Sequence, residues 1–186
     1  MNDQPSSHHS HETEEDARNR DIRIWVNGDI VHRDDAKVSV YDSGFMLGDG
    51  MWEGMRLYDG KWAFFDEHMD RLFGSCKAVG IDIGMDRAAV LDALTQTAAA
   101  NNMVTDAHCR LMVTRGIKDK PFQHPRLSRS GPTMVIIIEH SMPLLTSIAD
   151  HLVALDSGRF VATGEPDEVL SHPQVVESYL GGREPT

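Results

Sequence analysis

With 186 residues, of which 40% are apolar and 25% charged, the chain can bury one ordinary core, and wholesale disorder is excluded. A formal charge of -11 at pH 7 excludes the clustered Lys and Arg that nucleic acid or an anionic membrane surface demands. No apolar run approaches the ~20 residues of a spanning helix, so direct membrane insertion is not expected. Cys76 and Cys109 are the two cysteines, and neither sits in a CxxC pair. Reduced thiols and a cytoplasmic location are the expectation.

Residues 1–21 read as a disordered acidic tail without the apolar stretch of a secretory signal. His8, His9 and His11 lie there, and a mobile tail holds a metal only at high entropic cost, so no metal site is assigned. Ordered structure is expected from Ile22. Ile22, Ile24 and Val26 alternate as in a strand, Asn27-Gly28 turns, and Asp29-Ile30-Val31 returns. A second strand-like run, Lys37 to Tyr41, leads into the Gly-rich Asp42 to Gly50. Met51 to Tyr58 reads as a strand, Asp59-Gly60 as its turn, and Lys61 to Phe65 as its partner.

From Asp66 the period becomes helical: Met69, Leu72, Phe73 and Cys76 share a face, with Asp66 as N-cap. Met85 to Asn101 is a second helix with Ala89, Val90, Ala93, Leu94 and Thr97 as its apolar stripe. Cys109 to Thr114 is a strand, Gly116 to Pro132 a loop, and Thr133 to Glu139 a strand apolar enough for burial on both faces. After His140 the pattern gives a short helix (Met142 to Leu152), a hairpin turning at Asp156-Ser157-Gly158, and helices from Pro166 and Pro173, the last stopped by Gly181-Gly182. The fold class is α+β: a two-layer antiparallel sheet with helices over 22–139, a short α/β appendage over 140–182, and a disordered end at 183–186.

Three segments carry a resemblance. Gly48-Asp49-Gly50-Met51-Trp52-Glu53-Gly54-Met55-Arg56-Leu57-Tyr58, then Glu67-His68-Met69-Asp70-Arg71-Leu72, then Cys109-Arg110-Leu111-Met112-Val113-Thr114-Arg115-Gly116 together resemble the N-terminal domain of the class IV, fold-type IV aminotransferases. That group includes the branched-chain and D-amino acid aminotransferases. The resemblance implies pyridoxal phosphate as cofactor, Arg71 as the arginine that binds its phosphate, and Trp52, Gly54, Arg56 and Arg110 as substrate-binding residues. A guanidinium suits both duties, because its charge is permanent and its donors form a fork.

From the residues alone, Arg71 also reads as an exposed helix residue and Trp52 as ordinary core. Arg110, between apolar neighbours, reads as one half of a buried ion pair. Three positions depart from the family. His108 stands where branched-chain enzymes carry a Tyr, and Lys120 and Phe122 stand where D-amino acid enzymes place Arg and His.

In this chemistry a lysine amine forms the Schiff base with the cofactor, and the family's lysine lies beyond the strand that ends at Glu139. The five lysines, Lys37, Lys61, Lys77, Lys118 and Lys120, all precede it. No catalytic residue is therefore assigned, cofactor binding is expected to be weak or absent, and transamination by these residues alone is not expected. The resemblance implies association as a homodimer or with a full-length aminotransferase.

A second resemblance covers about 136–182. Ile136 to Met142, Ile148 to His151, Leu155 to Arg159, Gly164 to Val169 and Val175 to Gly181 resemble the C-terminus of ABC transporter ATP-binding proteins of the branched-chain amino acid importer type. That implies a fused or truncated aminotransferase-like chain, or alternatively an interaction module of such a transporter. His140 matches the ATPase switch histidine, but no GxxxxGK[ST] loop exists to cradle phosphates, so ATP hydrolysis is not expected.

Overall fold

The computed structural model describes residues 17–140, 150–156 and 159–179. They fall in two compact units, one within Glu15–Ser141 and one within Met142–Thr186. The expected tail histidines and most of the helix expected over Met142 to Leu152 lie outside the described residues.

The larger unit is a six-stranded antiparallel sheet. Its strands are β1 (Arg23–Val26), β2 (Asp29–His32), β3 (Gly50–Tyr58), β4 (Lys61–Trp62), β5 (Ala107–Thr114) and β6 (Thr133–His140), in the spatial order β2-β1-β6-β5-β3-β4. The register places Glu53 opposite Leu111 and Leu111 opposite Ile136, so inward residues of three strands form one layer. Helices α2 (Phe65–Ala78) and α3 (Arg87–Ala100) cover one face. Met69, Leu72 and Cys76 from α2 meet Val90, Ala93 and Leu94 from α3 over Met55, Cys109, Leu111 and Ile136. This is the α+β architecture expected. Both cysteines are free and buried, and burial pushes the Cys109 thiol up to about 12. Among the described residues no helix is long and apolar enough to cross a membrane.

Three local expectations are corrected. Residues 37–41 form no strand: Val38 and Val40 are exposed, and the segment closes on itself through an Asp42 amide bond to the Ser39 carbonyl. β-branched residues form a strand only where a neighbour offers a ladder. The Gly-rich stretch instead holds a short helix, α1 (Ser43–Leu47), capped by Asp42, whose carboxylate accepts from the Gly44 amide. Asp66 is not the cap of α2. Phe64 occupies that position with φ 52°, makes no side-chain cap bond, and leaves Asp66 in the first turn.

The apolar strand β6 is also not buried on both faces. Met134, Ile136 and Ile138 are buried toward the helices, while Val135 and Ile137 are only half-buried on the other side. The partner strand expected over Lys61 to Phe65 shortens to Lys61–Trp62, pairing with Tyr58 and Leu57 alone.

The smaller unit is a hairpin of β7 (Leu152–Asp156) and β8 (Arg159–Gly164), followed by α4 (Pro166–Leu170) and α5 (Pro173–Tyr179). Among its described residues Pro166, Val169 and Val175 are buried. His140 lies at the end of β6, in register with Ala107.

Candidate functional site

Strand alternation sorts β3 and β5 into two faces. Glu53, Met55 and Leu57 turn toward the helices and are buried, while Trp52, Gly54 and Arg56 turn to the opposite, open face. On β5, Ala107, Cys109, Leu111 and Val113 turn inward, and His108, Arg110 and Met112 turn outward. Register then brings Gly54 opposite Arg110, and Arg56 opposite His108. Four of the sequence-predicted residues thus meet on one open face.

Trp52 and Arg110 form its most explicit contact. The guanidinium carbon of Arg110 lies 4.2 Å from the Trp52 ring centroid, a cation–π stack worth about 0.5–1 kcal/mol where exposed. Trp52 is 60% exposed, so it is a wall rather than core. Arg110 is exposed and not part of a buried ion pair. Gly54 is the floor between them: a Cβ there would meet His108 Nε2 at 3.2 Å and Trp52 at 3.8 Å.

Beside this floor, a cavity of about 520 Å³ opens against Ile24, Val26, Trp52, Met112, Val135 and Ile137, with Phe45 from α1 on its far side. Gly50 allows the close approach that shapes it, since a Cβ would stand 2.7 Å from the Val113 carbonyl oxygen. An apolar hollow with few fixed polar groups is the usual form of a small-molecule site.

Arg71 is elsewhere. It belongs to the helix-bearing side of β3, where its Nε donates to Glu53 Oε1 at 2.8 Å and an Nη2 hydrogen goes to Glu53 Oε2. His68, one turn earlier on α2, places Nδ1 2.8 Å from the same Oε2. Burial raises the affinity of Glu53 for a proton, but the hydrogen bonds from Arg71 and His68, with their charges, outweigh it and hold the carboxyl below the usual range. Bonding to Glu53 raises the Arg71 guanidinium in turn.

The Arg71 side chain is 63% exposed, and its Nη1 hydrogens have no partner among the described residues. Sequence reading missed Glu53 and His68 as members of this cluster. The signal for Glu53 was a carboxylate at an inward position of an otherwise apolar strand, which is costly without partners. A further guanidinium, Arg115, grips Asp49 through Nε at 2.7 Å and Nη2 at 3.0 Å, and reaches the Gly80 and Val79 carbonyls at 2.7 and 2.9 Å. It ties the Gly-rich turn to the end of α2.

The family model described as "Amino-transferase class IV" matches residues 50–177. The chain belongs to the class IV aminotransferase family. It is 40% identical over 124 residues to a putative branched-chain-amino-acid aminotransferase of Methanocaldococcus jannaschii, covering 67% of this chain and 42% of that one. It is 33% identical over 162 residues to branched-chain-amino-acid aminotransferase-like protein 1 of Arabidopsis thaliana, covering 87% and 29% respectively. Its fold overlays the crystal structure of the branched-chain amino acid aminotransferase from Escherichia coli with a TM-score of 0.56 and 26% identity, over 64% of this chain and 41% of that one.

The chain therefore spans less than half the length of these relatives. The family match runs on to residue 177, across the segment expected above to be ABC ATPase-like. That second resemblance, and the reading of the chain as a fusion, gain no support from these comparisons.

Proposed function

We propose that this chain contributes the small-domain half of a pyridoxal-phosphate-dependent transaminase site acting on branched-chain or related amino acids. The observation that carries the reading is the meeting of Trp52, Gly54, Arg56 and Arg110 on one open face, beside an apolar hollow, in a chain of this family. Trp52 and Gly54 form the wall against which a substrate side chain lies. Arg110, steadied by the Trp52 ring, meets a substrate carboxylate as a charge-assisted donor, and Arg56 adds charge two residues along β3.

The residues fit the cofactor at one end only. Arg71 has unfilled, outward donors for a phosphate, held at fixed aim by Glu53. The imine-forming role is assigned to no lysine of this chain: Lys118 is buried with Nζ 3.3 Å from the His124 carbonyl oxygen, and Lys37, which lines the hollow, precedes the region where the family carries its lysine. Pyridoxal phosphate, when bound, supplies the electron sink for the amino acid α-carbon. The residues of this chain bind and orient; the imine-forming lysine is that of a family-type large domain, which association with a full-length aminotransferase supplies, whereas a homodimer of these residues alone brings no such lysine. Nothing observed favours the alternative of a transporter interaction module.

The test is a fluorescence titration of the purified chain with pyridoxamine 5′-phosphate. Weak, saturable binding is expected, reduced at least tenfold by Arg71→Met, since one charge-assisted phosphate contact is worth about 1.5–3 kcal/mol. Binding untouched by Arg71→Met would remove Arg71 from the role. With pyridoxal phosphate and borohydride, a reducible adduct on a single lysine would overturn the assignment of the amine to another domain.

A further inference from the structure

A second hollow lies along α2, apart from the open face. Asp70, Phe73, Gly74 and Lys77 stand at helical spacing, so they form one stripe of α2, and all four line a cavity of about 310 Å³. Ile81, Asp82 and Met85, from the segment that joins α2 to α3, complete its wall. None of these residues borders the open-face hollow. Gly74 is the residue that the fold leaves unexplained. Glycine inside a helix is less stable than alanine, yet Gly74 has ordinary helical backbone, and no atom lies within 4 Å of where its Cβ would stand. Neither a turn nor a close approach requires it. A side chain there would project beside the hollow, and the glycine keeps that space open.

The charges around this hollow are balanced but only half used. Asp70 and Arg87 form an ion pair with each other, and the Arg87 guanidinium carbon lies 5.8 Å from the Phe73 ring centroid, bracing that wall. Lys77 has no partner among the described residues. Asp82 accepts from the Gly84 amide through Oδ1 at 2.9 Å, which fixes the aim of the carboxylate and leaves Oδ2 without a partner among the described residues. The rim thus offers one free cation and one free anion beside apolar Phe73, Ile81 and Met85.

We infer that this hollow is a second binding site, for a small zwitterion with an apolar body: a free aliphatic amino acid. The ligand carboxylate meets the Lys77 ammonium, its α-ammonium meets Asp82 Oδ2, and its side chain lies over Gly74 against Phe73 and Met85. A simple anion would leave Asp82 facing it, and a simple amine would leave Lys77 facing it, so the zwitterion is the better match. Size points the same way, because a volume of about 310 Å³ is at the small end of ligand sites and suits an amino acid rather than a nucleotide. The site shares no residue with the proposed transaminase face and does not depend on that reading. A ligand held here would tie the end of α2 to the segment that leads into α3, and binding to the folded chain alone would raise its melting temperature.

Leucine serves as the probe, titrated into the full chain with its Ile and Met methyl groups labelled for NMR. The Met85 and Ile81 resonances are expected to move saturably. 4-Methylpentanoate, which lacks the ammonium, and 3-methylbutylamine, which lacks the carboxylate, should each bind roughly fivefold weaker, the share of one charge-assisted contact. Gly74→Leu should melt at a higher temperature than the original chain, because leucine is the better helix former, yet weaken the leucine response at Met85 at least tenfold. Gly74→Ala should shift both in the same directions by less, and Lys77→Met should abolish the preference for leucine over 3-methylbutylamine. A Met85 resonance that leucine leaves unmoved overturns the site. If Met112 and Ile137 on the open face move instead, the transaminase reading stands while this one falls. Equal responses to leucine and 4-methylpentanoate overturn the zwitterion, and an intact response in Gly74→Leu overturns the placement over Gly74.

Discussion

On the helix-covered face Met55, Leu111 and Ile136 are 1%, 0% and 0% exposed, while three residues back along β3 and on the opposite face Trp52 is 60% exposed. The same strands thus present a packed interior and an unfinished surface at alternate positions. On the covered side the buried groups are used within this chain: apolar side chains fill space between α2, α3 and the sheet, and the buried carboxylate of Glu53 is matched by Arg71 and His68, of which Arg71 keeps donors free for a ligand. On the open side the apolar groups, Trp52, Met112, Val135 and Ile137, border a hollow, and the cations Arg56 and Arg110 stand beside it. The difference separates what folds the chain from what the chain offers to a ligand.

The contrast can be broken most severely on the covered side. Leu111→Ala removes a fully buried side chain at the centre of the layer, and a loss of about 3 kcal/mol is expected in a urea denaturation. A loss below 1 kcal/mol would mean that this face is not the core.

Glu53→Gln comes next. It leaves the geometry but removes the charge that Arg71 and His68 share, at a cost of about 2 kcal/mol at neutral pH. The carboxyl is held below its ordinary value, so its stabilisation is present above about pH 4.5 and fades as pH falls through the lower folded value. Denaturation midpoints measured from pH 7 to pH 3 should therefore fall less steeply in Glu53→Gln, and parallel curves would deny the coupling.

The smallest effect is expected on the open side. Trp52→Ala gives up an exposed ring and its stack on Arg110, and no more than about 1 kcal/mol should be lost. A loss comparable to that of Leu111→Ala would make Trp52 core and close the distinction between the faces.

Much of the covered face was legible in the sequence, because burial writes itself as periodicity. Met69, Leu72 and Cys76 on α2, and Val90, Ala93, Leu94 and Thr97 on α3, stand at helical spacing and are inward in the structure as their pattern requires. The errors fall where a residue's preference depends on a neighbour far away in sequence. Val38 and Val40 have strand-forming side chains but no strand to pair with. Phe64 takes the position at the head of α2 by adopting a left-handed backbone that no capping rule assigns to an aromatic residue.

At the candidate site, family motifs pointed to Trp52, Gly54, Arg56, Arg71 and Arg110. Motif order alone did not show that Arg71 stands on the covered side while the other four share the open one. That follows from the parity of β3, which places Glu53 opposite in direction to Trp52 and Gly54. The same parity made Glu53 conspicuous in retrospect, as an acid among Met55 and Leu57.

The alternation along β5 has a consequence for how this protein tolerates change. Ala107, Cys109, Leu111 and Val113 point one way, and His108, Arg110 and Met112 the other, so mutational tolerance should oscillate with a period of two. In a library saturating 107–114, odd positions would govern how much folded protein accumulates, and even positions would govern what it recognises. Selection acting on one series leaves the other nearly free, which lets a lineage retune its ligand preference one outward residue at a time without renegotiating the fold.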